Sequence, residues 1–455
     1  MFTREFLDSI MKAYDVRGLV DIEITPDFTF ALGASFARFL AEEREPATVI
    51  IGEDMRPSSP LLAQAFADGV SSQGFDAIRI GLASTDMTYF ASGKLNLPGA
   101  MFTASHNPAE YNGIKLCKSA ARPIGQETGL RRIRDLVIEG VPISTRSMGK
   151  VTERDMLTEY VDFLLGIFGD ELTLAKRRLT VVIDAGNGMA GHTAPAVMER
   201  LNVDVVPLYF ELDGTFPNHE ANPIDPANVA DLQRAVIEKK ADIGLAFDGD
   251  ADRCFLIDET GAIVTPSALT ALIAVRELKR KPGAPVIYNL ISSKAVPEVI
   301  AENGGKPIRS RVGHSYIKAM MAETGAVFGG EHSGHFYFSD FWRADSGMLA
   351  ALFALAELSG SEKTLSQLLA PYNRYVVSGE INTRVADTAA ALSLIKDTYS
   401  GDCEIDELDG VTVNASDWWF NVRPSNTEPL LRLNVEAKDE TTMELIREKV
   451  LGLIR

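Results

Sequence analysis

The stretch Ala241-Asp-Ile-Gly-Leu-Ala-Phe247-Asp248-Gly249-Asp250-Ala251-Asp252-Arg253 runs a buried strand straight into an acidic loop. Ile243 to Phe247 is a short apolar run of the kind that fills an inner strand. The loop behind it alternates three carboxylates and closes on an arginine. In an extended loop, every-second-residue spacing turns side chains to one side, so Asp248, Asp250 and Asp252 can converge on one hard cation. The loop also falls at the carboxyl end of its strand, where open α/β sheets place their ligand sites. An all-oxygen set of this kind suits Mg²⁺, a cation that usually works on phosphates.

Outward from that strand, β-rich runs alternate with amphipathic helical patterns. Thr48–Ile51, Ala77–Ile80, Thr180–Ile183 and Pro285–Tyr288 read as further strands. Phe30–Glu43, Pro60–Gln73, Pro226–Lys240, Pro266–Lys281 and Lys294–Glu302 read as the helices between them, several with proline in the first turn. Alternation of this type predicts βαβ units and mostly parallel sheets. The last part differs, with strands at Val376–Ile381, Trp418–Val422 and Leu430–Val435 and helices at Asp387–Tyr399 and Thr441–Ile454, which predicts an α+β end domain. A length of 455 residues exceeds what one core supports. The boundaries expected are 1–147, 148–250, 251–366 and 367–455, the first resting on the polar segment Pro142–Lys150.

A net charge of −18, from 63 acidic and 45 basic residues, argues against a nucleic-acid surface or an anionic membrane face as partner. An anionic substrate must then be captured by local cations. The three cysteines, Cys117, Cys254 and Cys403, are odd in number and widely spaced, which points to neither a disulfide framework nor a zinc quartet and favours a reducing cytoplasm. Met1–Ile10 lacks the apolar core of a leader peptide, and the longest apolar stretch, Gly347–Leu358, is too short for a bilayer that needs about 20 residues.

Six further segments carry chemistry-bearing side chains. Thr103-Ala-Ser-His-Asn-Pro108 sets Ser105 beside His106 in a turn, so that Ser105 is a candidate nucleophile and His106 a group that adjusts its proton or binds an anion. The same residues are ordinary turn formers. Lys115 in Asn112-Gly-Ile-Lys115 and Arg17 in Lys12-Ala-Tyr-Asp-Val-Arg17-Gly18 gain weight from that company. Gly329-Gly-Glu-His-Ser-Gly-His335 places Glu331 and Ser333 at alternate positions, where a carboxylate accepts two hydrogen bonds from a vicinal diol. Zinc held by Glu331, His332 and His335 is the rival reading, opposed by the glycines. His314 in Val312-Gly-His-Ser315 can contact a phosphate or cap the helix that follows. Arg423-Pro-Ser-Asn-Thr-Glu-Pro429 reads as an anion cradle or as a polar loop between strands.

TASHNP, DGDADR, GEHSGH and RPSNTEP, in that order along nearly the whole chain, resemble the α-D-phosphohexomutase superfamily, and within it the sequence is most similar to the bacterial phosphomannomutase/phosphoglucomutase enzymes. The resemblance implies four domains around a central cleft, three related α/β units and a C-terminal domain of the TATA-box-binding-protein-like type. It implies that Ser105 is the phosphoserine and that Asp248, Asp250 and Asp252 hold Mg²⁺ together with a Ser105 phosphate oxygen. Glu331 and Ser333 would bind sugar hydroxyls. Arg423, Ser425, Asn426 and Thr427 would grip the phosphate that is not reacting. Arg17, Lys115, His106, Arg253 and His314 would surround the transferring group, with His335 nearby. The reaction implied is reversible phosphoryl transfer between C1 and C6 of mannose and glucose phosphates through a hexose 1,6-bisphosphate, by a cytoplasmic monomer or weak homodimer. One departure stands at Asn289-Leu-Ile-Ser-Ser-Lys294, where many relatives carry an Asp-Val-Lys pattern and Ile291 replaces the lysine. A phosphoglucosamine mutase shares nearly every motif; a serine-dependent phosphatase and a noncatalytic sugar-phosphate-binding protein are the readings from other classes.

Overall fold

A computed structural model describes residues 2–142, 144–424 and 430–454, the side chains of His314 and Ser315 excepted. Strands β1 (Val16–Leu19), β2 (Thr48–Glu53), β3 (Asp76–Leu82), β4 (Gly99–Phe102), β5 (Tyr111–Lys118), β6 (Arg122–Pro123) and β7 (Val151–Glu153) build the first sheet, ordered β1-β5-β4-β2-β3-β7 with β6 on β5. The inner strands β4, β2 and β3 and the edge strand β7 run parallel, whereas β5 is antiparallel to β4 and to β1. β4 is buried along its whole length, as expected of a strand covered on both faces. The helix expected at Phe30–Glu43 runs over Pro26–Glu42, because Thr25 caps it by accepting the Phe28 N–H and Pro26 supplies the first turn. Its neighbour spans Ser59–Ser72. Phe28, Phe36, Phe66 and Phe102 fill the core beneath them, each worth roughly 2–3 kcal/mol of burial.

The second sheet contains β8 (Leu179–Asp184), β9 (Val203–Leu208), β10 (Ile243–Phe247), β11 (Cys254–Asp258) and β12 (Ile263–Val264), in the order β12-β11-β10-β8-β9. Strands β10, β8 and β9 are parallel, and β10 is fully buried as read from its sequence. β10 then turns back into antiparallel β11, so the acidic loop is the bend of a hairpin. That corrects the boundary expected at residue 250: Cys254–Asp258 completes the same sheet by backbone pairing. The boundary expected at residue 147 likewise shifts, because β7 pairs with β3 of the first sheet.

Two compact units divide the chain: residues 1–265 with 333–368, and residues 266–332 with 369–455. In the second unit, β13 (Pro285–Asn289), β14 (Lys306–Ser310) and β15 (Phe328–Gly330) lie parallel in the order β14-β13-β15, joined by the helices Ala295–Glu302 and His314–Thr324. The chain returns to the first unit through β16 (Phe336–Phe338) and the helix Gly347–Ser359. That helix is the longest apolar stretch of the sequence, and nearly all of it is buried. Among the described residues no helix is long and apolar enough to cross a membrane.

The end domain is α+β, as its pattern predicts, with five antiparallel strands where three were read. β17 (Val376–Arg384), β18 (Glu404–Asp406), β19 (Val411–Asn414), β20 (Trp418–Pro424) and β21 (Leu430–Ala437) are ordered β17-β21-β20-β19-β18. Helices Thr388–Tyr399 and Glu440–Ile454 close one face over Val413, Phe420 and Leu433, with Val450 of the second helix in the same core. The short edge strand β18 and its partner β19 have too few residues to show a period in sequence.

Candidate active site

Ser105 follows β4 and adopts a left-handed backbone, φ 50°, which a non-glycine residue keeps only where neighbours enforce it. Its N–H donates to Thr103 Oγ1 at 2.9 Å. Ser105 is 5% exposed, and its hydroxyl donates to Asp248 Oδ2 at 2.7 Å, across 143 residues of sequence. Arg253 embraces the same carboxylate, its N–H on Oδ1 at 3.1 Å and its Nε on Oδ2 at 2.8 Å, while Nη2 reaches Ser105 Oγ at 3.4 Å. Nη2 also meets His106 Nδ1. A guanidinium only donates, so that ring nitrogen accepts. The Arg253 charge, and then burial, hold the His106 imidazole well below its usual pKa, so it is neutral.

The rest of the acidic loop is held from two sides. Asp250 Oδ2 accepts from Thr85 Oγ1 at 2.6 Å and from Lys115 Nζ at 2.7 Å, and the same ammonium lies 2.6 Å from Asp252 Oδ2. Burial pushes the Asp250 carboxyl up, but the charge and hydrogen bond of Lys115 and the Thr85 hydroxyl outweigh it and keep the group well below the usual range. Asp248 goes the other way, pushed up to about 7 by burial against the pull of Arg253. One oxygen each of Asp248, Asp250 and Asp252 falls within 4.8 Å of the others. Asp250 Oδ1 and Asp252 Oδ1 are buried with no hydrogen-bond partner. Buried orphan carboxylate oxygens are costly without a cation, so this set fits a divalent metal with oxygen preference.

Arg17 stands close by, donating to Asn107 Oδ1 and to Asp15 Oδ2 at 2.6 Å. His335 pairs with Arg253 through an isolated β-bridge; its Nδ1 lies 2.9 Å from Ser333 Oγ and its Nε2 3.6 Å from Asp252. The first unit thus brings together Ser105, His106, Arg17, Lys115, the three aspartates, Arg253, Ser333 and His335.

Family models for all four phosphoglucomutase/phosphomannomutase domains match in order: α/β/α domain I over residues 8–140, domain II over 158–261, domain III over 265–375 and the C-terminal domain over 380–453. The chain belongs to the phosphoglucomutase/phosphomannomutase family. It is 37% identical over 455 residues to a phosphomannomutase of Escherichia coli, covering 98% of each chain. It is 38% identical over 448 residues to phosphohexose mutases of Xanthomonas campestris, again with 98% of each chain covered. A crystal structure of a phosphoglucomutase/phosphomannomutase family protein from Burkholderia thailandensis superposes with TM-score 0.90 at 29% identity, covering 100% of this chain and 97% of that one. The chain is therefore an enzyme of the phosphohexomutase class.

The remaining residues singled out in this phosphohexomutase sequence lie in the second unit or outside the described residues. Glu331 is 2% exposed and accepts the Gly313 N–H at 3.0 Å, at the turn before the helix His314–Thr324. The His314 side chain lies outside the described residues, as do Ser425, Asn426 and Thr427. Arg423, on β20, donates to Glu380 Oε2 at 2.6 Å. Ile291 is buried, and nearby Lys294 is committed elsewhere, its Nζ donating to the Ala415 carbonyl at 3.0 Å. Sequence reasoning passed over Thr85 and Arg56. Thr85 opens a helix, Thr85–Leu95, whose eight-residue start is entirely buried and shows weak periodicity. Arg56 follows β2 in Asp54-Met-Arg56, charged residues just beyond the carboxyl end of a parallel strand, the same signal that marked the acidic loop.

Proposed function

We propose that this phosphohexomutase moves a phosphoryl group reversibly between the C1 and C6 oxygens of a hexose, interconverting mannose 1-phosphate and mannose 6-phosphate and accepting the glucose phosphates as well. Ser105 is the phosphate carrier in this reading. The phospho-Ser105 P–O bond breaks as a P–O bond forms to the free sugar hydroxyl, whose proton is lost and balanced by the proton that returns to Ser105 Oγ. The hexose 1,6-bisphosphate then turns over and gives its other phosphate back to Ser105. The observation that carries the reading is the 2.7 Å contact between Ser105 Oγ and Asp248, with Arg253 in reach of both. Phosphoryl transfer depends on positioning and charge neutralisation, and Arg253, Lys115 and Arg17 supply fixed cations around one hydroxyl.

Asp248, Asp250 and Asp252 are the residues that would hold Mg²⁺, and bound there the ion supplies positive charge to the phosphoryl oxygens. Glu331 and Ser333 are the groups assigned to the sugar hydroxyls, and Arg423 with Ser425, Asn426 and Thr427 to the distal phosphate. His314 is assigned to the transferring group. The domain ranges proposed are those of the four family matches, with the first extended to include β7, which pairs with β3. Free cysteines at 117, 254 and 403 suit a cytoplasmic site of action.

The test is intact mass after incubation with glucose 1,6-bisphosphate, paired with an assay of mannose 1-phosphate conversion. The wild type is expected to gain one phosphate and to form mannose 6-phosphate, and Ser105→Ala to do neither. Phosphate release without isomerised product would indicate a phosphatase, turnover of glucosamine phosphates alone an amino-sugar mutase, and a phosphate adduct that survives Ser105→Ala would end the assignment.

A further inference from the structure

We infer that Arg56 is the positioning residue of the serine loop, the group that fixes the direction of the Ser105 hydroxyl by holding four carbonyls behind it; the inference rests on the assignment of Ser105 above. The Arg56 side chain is entirely buried. Its Nη1 donates to the carbonyls of Pro108 at 2.7 Å and Tyr111 at 2.9 Å. Its Nη2 donates to the carbonyls of Ser105 at 3.0 Å and Asn107 at 2.6 Å. The planar fork therefore gathers the whole turn from 105 to 111 onto one rigid group, something a lysine ammonium with a single centre cannot span.

The clasp is itself anchored. Asp54 Oδ2 lies 3.3 Å from Arg56 Nε, and Asp54 Oδ1 accepts from the Arg56 N–H at 3.0 Å and from Ser59 Oγ at 2.6 Å. The Asp54 N–H donates to the Phe102 carbonyl at 2.9 Å, which ties the clasp to the end of the strand that delivers Ser105. The Phe216 ring lies over the guanidinium, 5.1 Å from its carbon. No bond runs from Arg56 to the Ser105 hydroxyl; its hold is on the Ser105 carbonyl, whose residue sits at φ 50°. A strained conformation of that kind persists only where surroundings over-determine it, and Arg56 is the only side chain among the described residues that bonds four carbonyls of this loop.

The experiment uses the full-length protein and Arg56→Lys, with circular dichroism to confirm folding. Expected are a kcat for mannose 1-phosphate lower by about 10²-fold, as for a nucleophile misplaced by about 1 Å, a KM changed less than about threefold, and phosphorylation of Ser105 by glucose 1,6-bisphosphate slowed in proportion. Wild-type protein that takes up phosphate on Ser105 together with an Arg56→Lys variant that does so equally fast overturns the inference and leaves the Ser105 reading standing. If the wild type takes up no phosphate, the Ser105 reading fails, and a crystal structure of Arg56→Lys decides the positioning role alone: Ser105 keeping its φ and its contact with Asp248 overturns it. Should Arg56→Lys fail to fold, Phe216→Leu removes only the ring over the guanidinium; a severalfold lower kcat at unchanged KM supports the role and an unchanged kcat refutes it.

Discussion

Asp86→Asn isolates one buried charge that the fold tolerates at a cost. Asp86 is fully buried in the first turn of the helix Thr85–Leu95. Its Oδ2 accepts from Tyr160 Oη at 2.7 Å and from Ser346 Oγ at 2.6 Å, and Ser84 Oγ donates to Oδ1. Burial pushes its pKa up from 3.8 to about 6, against the three hydroxyl donors, with a further push from Asp252. A rise of that size corresponds to about 3 kcal/mol at about 1.4 kcal/mol per pH unit. The folded state holds the proton more tightly than the unfolded chain, so stability is highest below the unfolded value, falls as pH rises from about 4 to about 6, and stays reduced above. Integrating between pH 5 and pH 8 gives a loss of about 1.4 kcal/mol from this group alone. Asparagine cannot ionise, and any constant offset from its altered bonding to Ser84 cancels between the two pH values. Urea unfolding of wild type and Asp86→Asn at pH 5 and pH 8, followed by tryptophan emission, should therefore show the variant gaining about 1.4 kcal/mol relative to wild type as pH rises. A difference that stays flat, or moves the other way, refutes the argument that Asp86 carries an unfavourable buried charge at neutral pH.

Lys115→Ala removes the ammonium shared by Asp250 and Asp252 and leaves two buried carboxylates uncompensated, a loss of about 3–5 kcal/mol. Thermal unfolding should show a lower Tm that MgCl₂ raises by more in the variant than in wild type; equal responses would contradict the placing of the ion at these carboxylates. In Gly249→Ala the new methyl would meet the Ser105 carbonyl at 2.4 Å, so the acidic loop and the serine loop must separate. Expected is a folded protein, about 1–3 kcal/mol less stable, whose Ser105 takes up phosphate at least tenfold more slowly than wild type; an unchanged rate would show that this close approach is dispensable.

The acidic hairpin bend was legible because its signal is short-ranged. β10 and the three alternating aspartates lie within ten residues, so strand, loop and spacing can be read without knowing what packs above them. The same holds for the βα alternation of the first two sheets, whereas the helix read from Phe30 begins four residues earlier, at Pro26, where the Thr25 cap sets its start. The helix Thr85–Leu95 escaped because its first eight residues are all buried, polar ones such as Asp86 and Thr88 included, so no contrast between an apolar and a solvent face marks it in sequence. The boundary at 250 failed because β11 joins β10 by backbone hydrogen bonds, which carry no side-chain pattern.

The sequence by itself determined the kinds of groups present: a serine loop, an acidic loop, an arginine behind it, and α/β segments to carry them. Only the tertiary structure decided that Ser105 donates to Asp248, that Thr85 and Lys115 lock Asp250, and that Arg56 gathers the carbonyls of the serine loop. The reason is sequence separation: those partners stand 49 to 165 residues apart, and strand order and register, set by the packing of whole sheets, decide which loop ends meet.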